Sequence, residues 1–412
     1  MQRAVLSNYF KGVATKRLSS VEVEPKISNQ HEFNGDENLK DLFGSERQTI
    51  PARFIYFGEG DEDTLTDIGY VTWYDARARH PTRSEYRCYY PTNTVIEHAR
   101  EGDLLIIGLK SDGSLIVIIA RAGFTFESQL QWLFKLTEKQ STQTFSVKNI
   151  DKKRDVQLDY SGRTIMDQIG IDVVVTDDNY LEKMASQFKG TFPSTREFST
   201  FARETLSGTI NNEDPDKLLM TWMDKEEVLF RTLERHIVSD RLRQGFKDDV
   251  DGFIAFSLSV QNRRKSRAGY ALENHFEQLL LYRKIRYSIH AVTENKVKPD
   301  FIFPGIKQYH TPNFPVSHLT MLGVKSSCKD RWRQVLSEAE RINDKHLLTL
   351  EPGISENQTN EMRANNLHLI VPLSVHKSYK PTQLKHIIDV KTFLDLVETR
   401  QLTRIVISKK LI

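Results

Sequence analysis

The chain has 412 residues, more than one core usually organises, since single cores rarely grow past roughly 250 residues. Its 39% hydrophobic and 10% aromatic content supports a sizeable core, and 58 basic against 55 acidic residues exclude a uniformly basic nucleic-acid coat, leaving local patches for any such contact. Only Cys88 and Cys328 are present, which excludes a disulfide framework and a four-cysteine zinc site and suits a reducing cytoplasm.

The first residues lack the continuous apolar stretch of a signal peptide, and no run approaches the roughly 20 apolar residues of a membrane span. We therefore expect a cytoplasmic protein with no membrane partner. Residues 50 to 120 alternate in the strand manner at Arg53–Phe57, Gly69–Tyr74, Tyr86–Tyr90, Asp103–Leu109 and Leu115–Ala120. Short strands at close spacing predict a small β-rich barrel. Asp112-Gly113 supplies the positive φ of a hairpin turn between the last two strands, and Glu127 to Leu136 reads as a closing helix. Within this region the Tyr74 to Arg87 turn concentrates Arg77, Arg79, Arg83 and Arg87 with two tyrosines, the makings of a groove-reading loop.

The composition then turns polar. We divide the chain into an N-terminal β-rich domain at 1–137, a linker at 138–165 and a C-terminal domain at 166–412. Helical periodicity follows at Thr195–Leu206, Pro215–Val238, Val250–Leu258 and Ala268–Tyr282, the last with Leu272, Phe276, Leu279 and Leu280 on one face. Strands are expected at Tyr287–Ile289, Phe301–Phe303, Leu319–Val324, Leu347–Leu350 and Leu367–Val371, with a helix from Lys329 to Ile342 among them. This alternation predicts an α/β domain with a mixed central sheet.

Three features of that domain carry chemistry. Pro299-Asp300 places a carboxylate at the mouth of the Phe301–Phe303 strand, and strand ends are where α/β sheets gather ligands. Lys325 closes the next strand with a charge, and Glu338 follows in the expected helix. Asp300 and Glu338 could hold Mg²⁺ through oxygen while Lys325 orients water or stabilises charge on a phosphorane. The same spacing also arises when an aspartate caps a turn after proline and a lysine pairs with a surface acid. A further acid, Glu273, lies on the Ala268–Tyr282 helix, where a core-facing carboxylate is costly without a metal or a base.

Gln261 to Gly269, Lys298 to Pro304 and Val324 to Gln334 resemble, in order and spacing, the catalytic half of the EcoRII-type restriction endonucleases. The resemblance covers about residues 190 to 380. It implies the PD-(D/E)XK restriction-endonuclease-like fold, with Asp300, Lys325 and Glu338 as the catalytic set, Glu273 as an additional acid, and Mg²⁺ as cofactor. It further implies double-stranded DNA as substrate, cut at a CC(W)GG-like site whose central bases flip out, in a prokaryotic cell. Lys329, Asp330, Arg331 and Arg333 would read G·C pairs, since Arg and Lys donors match guanine and a carboxylate accepts from cytosine; the alternative is a solvated helix start on phosphate. Arg263, Arg264 and Arg267 would clamp phosphates or form a solvated face. Trp222 is a candidate platform for the flipped base, although a tryptophan at helical spacing is more often core.

A palindromic site implies a homodimer. A cognate DNA methyltransferase is expected genetically, without a stable complex. The N-terminal domain resembles, weakly, a B3-like pseudobarrel that binds effector DNA and covers the catalytic cleft until it does so. Two other readings stand beside this one: a modification-dependent nuclease whose N-terminal domain senses altered DNA, and a non-catalytic DNA-binding regulator.

Overall fold

The computed structural model describes residues 4–23, 31–60, 63–136, 144–150, 155–206, 214–328 and 331–409. The chain divides into two compact units, Arg3–Val173 with Gly353–Gln358, and Val174–Pro352 with Thr359–Ile412.

The first unit holds eight strands: β1 (Phe10–Arg17), β2 (Glu32–Asn34), β3 (Gln48–Phe57), β4 (Thr64–Asp75), β5 (Tyr86–Tyr89), β6 (Leu104–Lys110), β7 (Leu115–Ala120) and β8 (Ser146–Asn149). They form one sheet in the order β2-β5-β4-β3-β7-β6-β1-β8, antiparallel except for β3 against β7. Among the described residues the edges β2 and β8 are not paired with each other, so the sheet they form is not a closed barrel. Phe33 on β2 and Phe145 beside β8 nevertheless belong to one core cluster with Phe54, Trp73, Ile107 and Val117, so the sheet wraps around a single interior. Isoleucine and valine make β7 wholly buried, and Gly113, at φ 85°, turns the chain between β6 and β7 as Asp-Gly predicts. Helix α1 (Thr125–Phe134) follows, ended by Lys135 in the left-handed region. The stretch read as a linker contains β8, hydrogen-bonded to β1, and the start of helix α2 (Tyr160–Gln168).

The second unit begins with helices α3 (Thr195–Glu204), α4 (Pro215–Gln244) and α5 (Val250–Tyr282). Ser194 and Glu197 close a capping box on α3, and Asp214 with Pro215 starts α4, both as side-chain chemistry dictates. Two helices expected at Val250–Leu258 and Ala268–Tyr282 are one continuous element, because the polar run between them contains no breaker and its arginines pair with α4. Leu272, Phe276, Leu279 and Leu280 are buried, as their spacing requires.

Strands β9 (Ser288–Ile289), β10 (Phe301–Phe303), β11 (Thr320–Lys325), β12 (Lys345–Thr349) and β13 (Leu367–Ile370) form a sheet in reverse chain order. It is mixed: β9, β10 and β11 are antiparallel, while β11, β12 and β13 run parallel. The helix expected from Lys329 to Ile342 is shorter, for α6 spans Trp332–Leu336, and Glu338 lies beyond its end. The chain turns there, with Ala339 at φ 49°, because the buried Lys345 ammonium donates to the carbonyls of Glu338, Ala339 and Ile342. Those carbonyls are thereby taken from any further helical turn.

Candidate active site

Asp300 immediately precedes β10 and Lys325 is the last residue of β11, and the antiparallel register of these neighbours sets both side chains at one end of the sheet. Asp300 is buried, and its Oδ2 accepts from the Val324 amide at 2.6 Å and from Lys325 Nζ at 2.9 Å. The aspartate is thus fixed by backbone and lysine together, and Lys325 is held at the mouth. Gly323 permits α6 to lie close upon β11, since a Cβ there would meet Val335 Cγ2 at 2.9 Å. That approach brings the segment after α6 back over the strand ends.

Glu338, carried on that segment, is 8% exposed and its Oε2 has no hydrogen-bond partner among the described residues. Burial and the Asp300 carboxylate push its carboxyl up to about 7, against the pull of Lys325 and Lys345. A buried acid without a donor is the arrangement expected where a cation belongs. Glu273, in the middle of α5, is raised by burial and then by Asp300. It bonds to His290 Nε2 at 3.0 Å, and the same nitrogen is 3.8 Å from Asp300 Oδ1. Glu273, His290 and Asp300 each offer one ligand atom within 4.8 Å of the others. Sequence reasoning missed His290, which stands alone in a connection and becomes visible only once β9 pairs with β10.

The structure therefore brings Asp300, Lys325, Glu338 and Glu273 to one end of one sheet. Mg²⁺ prefers oxygen ligands; the ligand atoms that lie together are those of Glu273, His290 and Asp300, and Glu338 Oε2 is a further buried carboxylate oxygen without a partner among the described residues.

The proposed DNA contacts are placed differently. Lys329 and Asp330 lie outside the described residues. Arg331 is exposed just ahead of α6, and Arg333 is paired with Glu361. Arg264 bonds to Glu234, and Arg267, buried, to Glu227. Burial raises the Glu227 carboxyl, but Arg267 and Arg231 outweigh it and bring it down to about 2. Arg264 and Arg267 tie α5 to α4. Arg263 lies over the Phe192 ring at 4.4 Å. Trp222 is 3% exposed, packed near His275 and Tyr282, which is the setting of a core residue.

Arg263, Arg267 and Arg331 do converge, with Phe192, Phe230 and Tyr270, on a cavity of about 720 Å³. Tyr270 is half-exposed there and sits one helical turn before Glu273 on α5. In the first unit, Arg77 pairs with Glu85, and Arg87 with Glu32 and Glu85. Arg79 and Arg83 are exposed and form no ion pair among the described residues.

Residues 230–394 match the family described as EcoRII C terminal. The chain is 46% identical over 189 residues to the type II restriction enzyme EcoRII of Escherichia coli, an alignment covering 46% of each protein, so it spans about half the length of that relative. Among solved structures it is similar to metal-depleted Ecl18kI in complex with uncleaved DNA, at 17% identity over 55% of this chain and 85% of that one, with a TM-score of 0.44. It is similar also to a restriction endonuclease PspGI–substrate DNA complex, at 17% identity over 51% of this chain and 93% of that one, with a TM-score of 0.41. The segment that resembles this family contains Glu273, His290, Asp300, Lys325 and Glu338.

Proposed function

We propose that the chain is a metal-dependent endonuclease that hydrolyses double-stranded DNA at a CC(W)GG-like site, using the PD-(D/E)XK arrangement. The observation that carries this is the buried Glu338 carboxyl, whose Oε2 has no partner among the described residues, beside the Lys325–Asp300 pair. Asp300 and Glu338 would hold Mg²⁺, which when bound would supply charge neutralisation on the phosphate and a more acidic water. Lys325 Nζ, one of whose bonds goes to Asp300, keeps donors for the attacking water or for the charge that builds on the phosphorane oxygens. Hydrolysis joins the water oxygen to phosphorus and breaks one P–O ester bond, with the leaving oxygen taking a proton.

Sequence choice is assigned to Lys329, Asp330 and Arg331 at adjacent G·C pairs. Trp222 is buried, and we replace it as the platform for a flipped base with the cavity that Tyr270 and Arg263 line, where aromatic and guanidinium faces are available. Arg79 and Arg83, exposed in the connection between β4 and β5, support the reading of the first unit as a B3-like effector-binding domain that restrains the nuclease. Two-fold site symmetry favours a homodimer, and a protecting methyltransferase completes the system genetically.

Digesting a plasmid with the protein and Mg²⁺, then sequencing the ends, tests this reading. Uniform ends at CC(W)GG sites are expected. Random ends would remove the G·C-reading assignment, and the absence of Mg²⁺-dependent cutting would remove the nuclease assignment. Parallel digestion of methylated DNA separates the modification-dependent alternative, which requires cutting of the modified duplex alone.

A further inference from the structure

We infer that His290 is a direct protein ligand to the cation of this centre, making it a mixed nitrogen and oxygen site that takes Co²⁺ more tightly than Mg²⁺. The inference rests on the metal-dependent reading of Asp300 given above. Three observations carry it.

The first is placement. His290 follows β9 directly, and its amide donates to the Asp300 carbonyl at 3.1 Å. Its φ of 47° is left-handed, a conformation that costs a non-glycine residue energy and is kept where the surroundings determine it. The backbone thus pins the imidazole to the mouth of β10, beside the aspartate that starts that strand.

The second is distance. In an octahedral shell with ligands at about 2.1 Å, neighbouring ligand atoms stand about 3.0 Å apart and opposite ones about 4.2 Å. His290 Nε2 is 3.0 Å from Glu273 Oε2 and 3.8 Å from Asp300 Oδ1, values inside that span. One ion could meet all three residues without displacing α5, β9 or β10.

The third is independent of these residues. Glu338 is 8% exposed and its Oε2 is partnerless among the described residues. The same end of the sheet therefore has a buried acceptor that the described side chains leave unfilled.

The simpler role for His290 is that of a counter-ion to Glu273. Metal preference separates the two. Imidazole nitrogen binds later first-row metals better than it binds magnesium, and affinity rises from Mn²⁺ to Co²⁺ to Ni²⁺. A counter-ion adds no such preference.

The experiment uses the full chain without a histidine tag and without DNA. Co²⁺ binding is followed by its visible absorption and by calorimetry, and Mg²⁺ by competition. His290→Asn is the test variant, since asparagine tolerates the left-handed backbone, and Asp300→Asn is the control. We expect wild type to bind Co²⁺ at least tenfold more tightly than Mg²⁺, with a spectrum distinct from the hydrated ion. His290→Asn should lose tenfold or more in Co²⁺ affinity and less than threefold in Mg²⁺ affinity, and its Co²⁺ spectrum should change. Asp300→Asn should lose both metals. Unchanged Co²⁺ affinity and spectrum in His290→Asn, with both metals lost in Asp300→Asn, would overturn the role of His290 and leave the metal centre standing. Unchanged binding in Asp300→Asn would overturn the centre itself.

Discussion

At the scale of single residues, the active end of the sheet is a balance of charges with one acid left over. Lys325 neutralises Asp300, and Glu338 is left with burial and a like charge. Its raised carboxyl has a thermodynamic consequence whose sign is fixed. An ordinary glutamate ionises near 4.3, so between about pH 4.3 and 7 the folded protein holds a proton at Glu338 that the unfolded chain has lost. Stability of the metal-free protein therefore falls as pH rises through that window and levels above it. Glu338→Gln cannot ionise and should be more stable than wild type at pH 8 by up to about 3 kcal/mol, with no difference below pH 4, as read by urea unfolding in chelator. The same proton competes with the cation. Below about pH 7 the Mg²⁺ concentration for half-maximal cleavage should rise about tenfold per pH unit in wild type. Lys325 answers to a different test: Lys325→Ala should lower the cleavage rate by at least about 10²-fold while leaving DNA affinity, measured by mobility shift, within about threefold. Retained cleavage would remove the lysine from the mechanism.

At the scale of elements, close packing of α6 on β11 sets where Glu338 arrives. Gly323→Val would drive a side chain into Val335, and we expect a loss of about 1–3 kcal/mol by urea unfolding together with loss of cleavage. Lys345→Met keeps most of the length of the side chain but removes the donors to three carbonyls. It should cost about 3 kcal/mol and weaken Mg²⁺ binding, because the turn that carries Glu338 loses its anchor. This turn also marks where sequence reading stops. The run from Lys329 to Ile342 has no proline or glycine and reads as a helix, yet a lysine on the following strand ends it early. Strands rich in valine and isoleucine, such as β7, are legible because every residue is buried and β-branched chains suit that setting. Strand β1 is not legible from pattern, since Lys16 within it is buried and its charge is met by Glu22, a partner that only the fold supplies. Asp300, Lys325 and Glu338 announce themselves by their apolar flanks. His290 does not, because its meaning depends on a neighbour from α5 and another from β10.

At the scale of the whole molecule, two compact units share one chain, and among the described residues no helix is long and apolar enough to cross a membrane. The continuous part of the first unit runs to Val173, through β8 and α2, so a truncation should begin at Val174 rather than at the polar stretch near 138–165, the fragment keeping only Gly353–Gln358 of that unit. If the N-terminal unit restrains the nuclease, the fragment 174–412 should cut plasmid DNA faster than the full chain by at least about tenfold, a coupling of the size usual for regulation between sites. A folded fragment, verified by circular dichroism, that cuts no faster would remove the restraint. One feature of the second unit bears on where a cut falls. Arg263, Tyr270 and Glu273 lie on the single uninterrupted helix α5, which makes the cavity and the carboxylate cluster two marks on one rigid rule. At about 1.5 Å per residue, Arg263 and Glu273 are about 15 Å apart along the axis, with unbroken helix between them. The offset between a nucleotide gripped in the cavity and the bond that breaks would then be a length written into the helix, altered only by adding or removing residues within it.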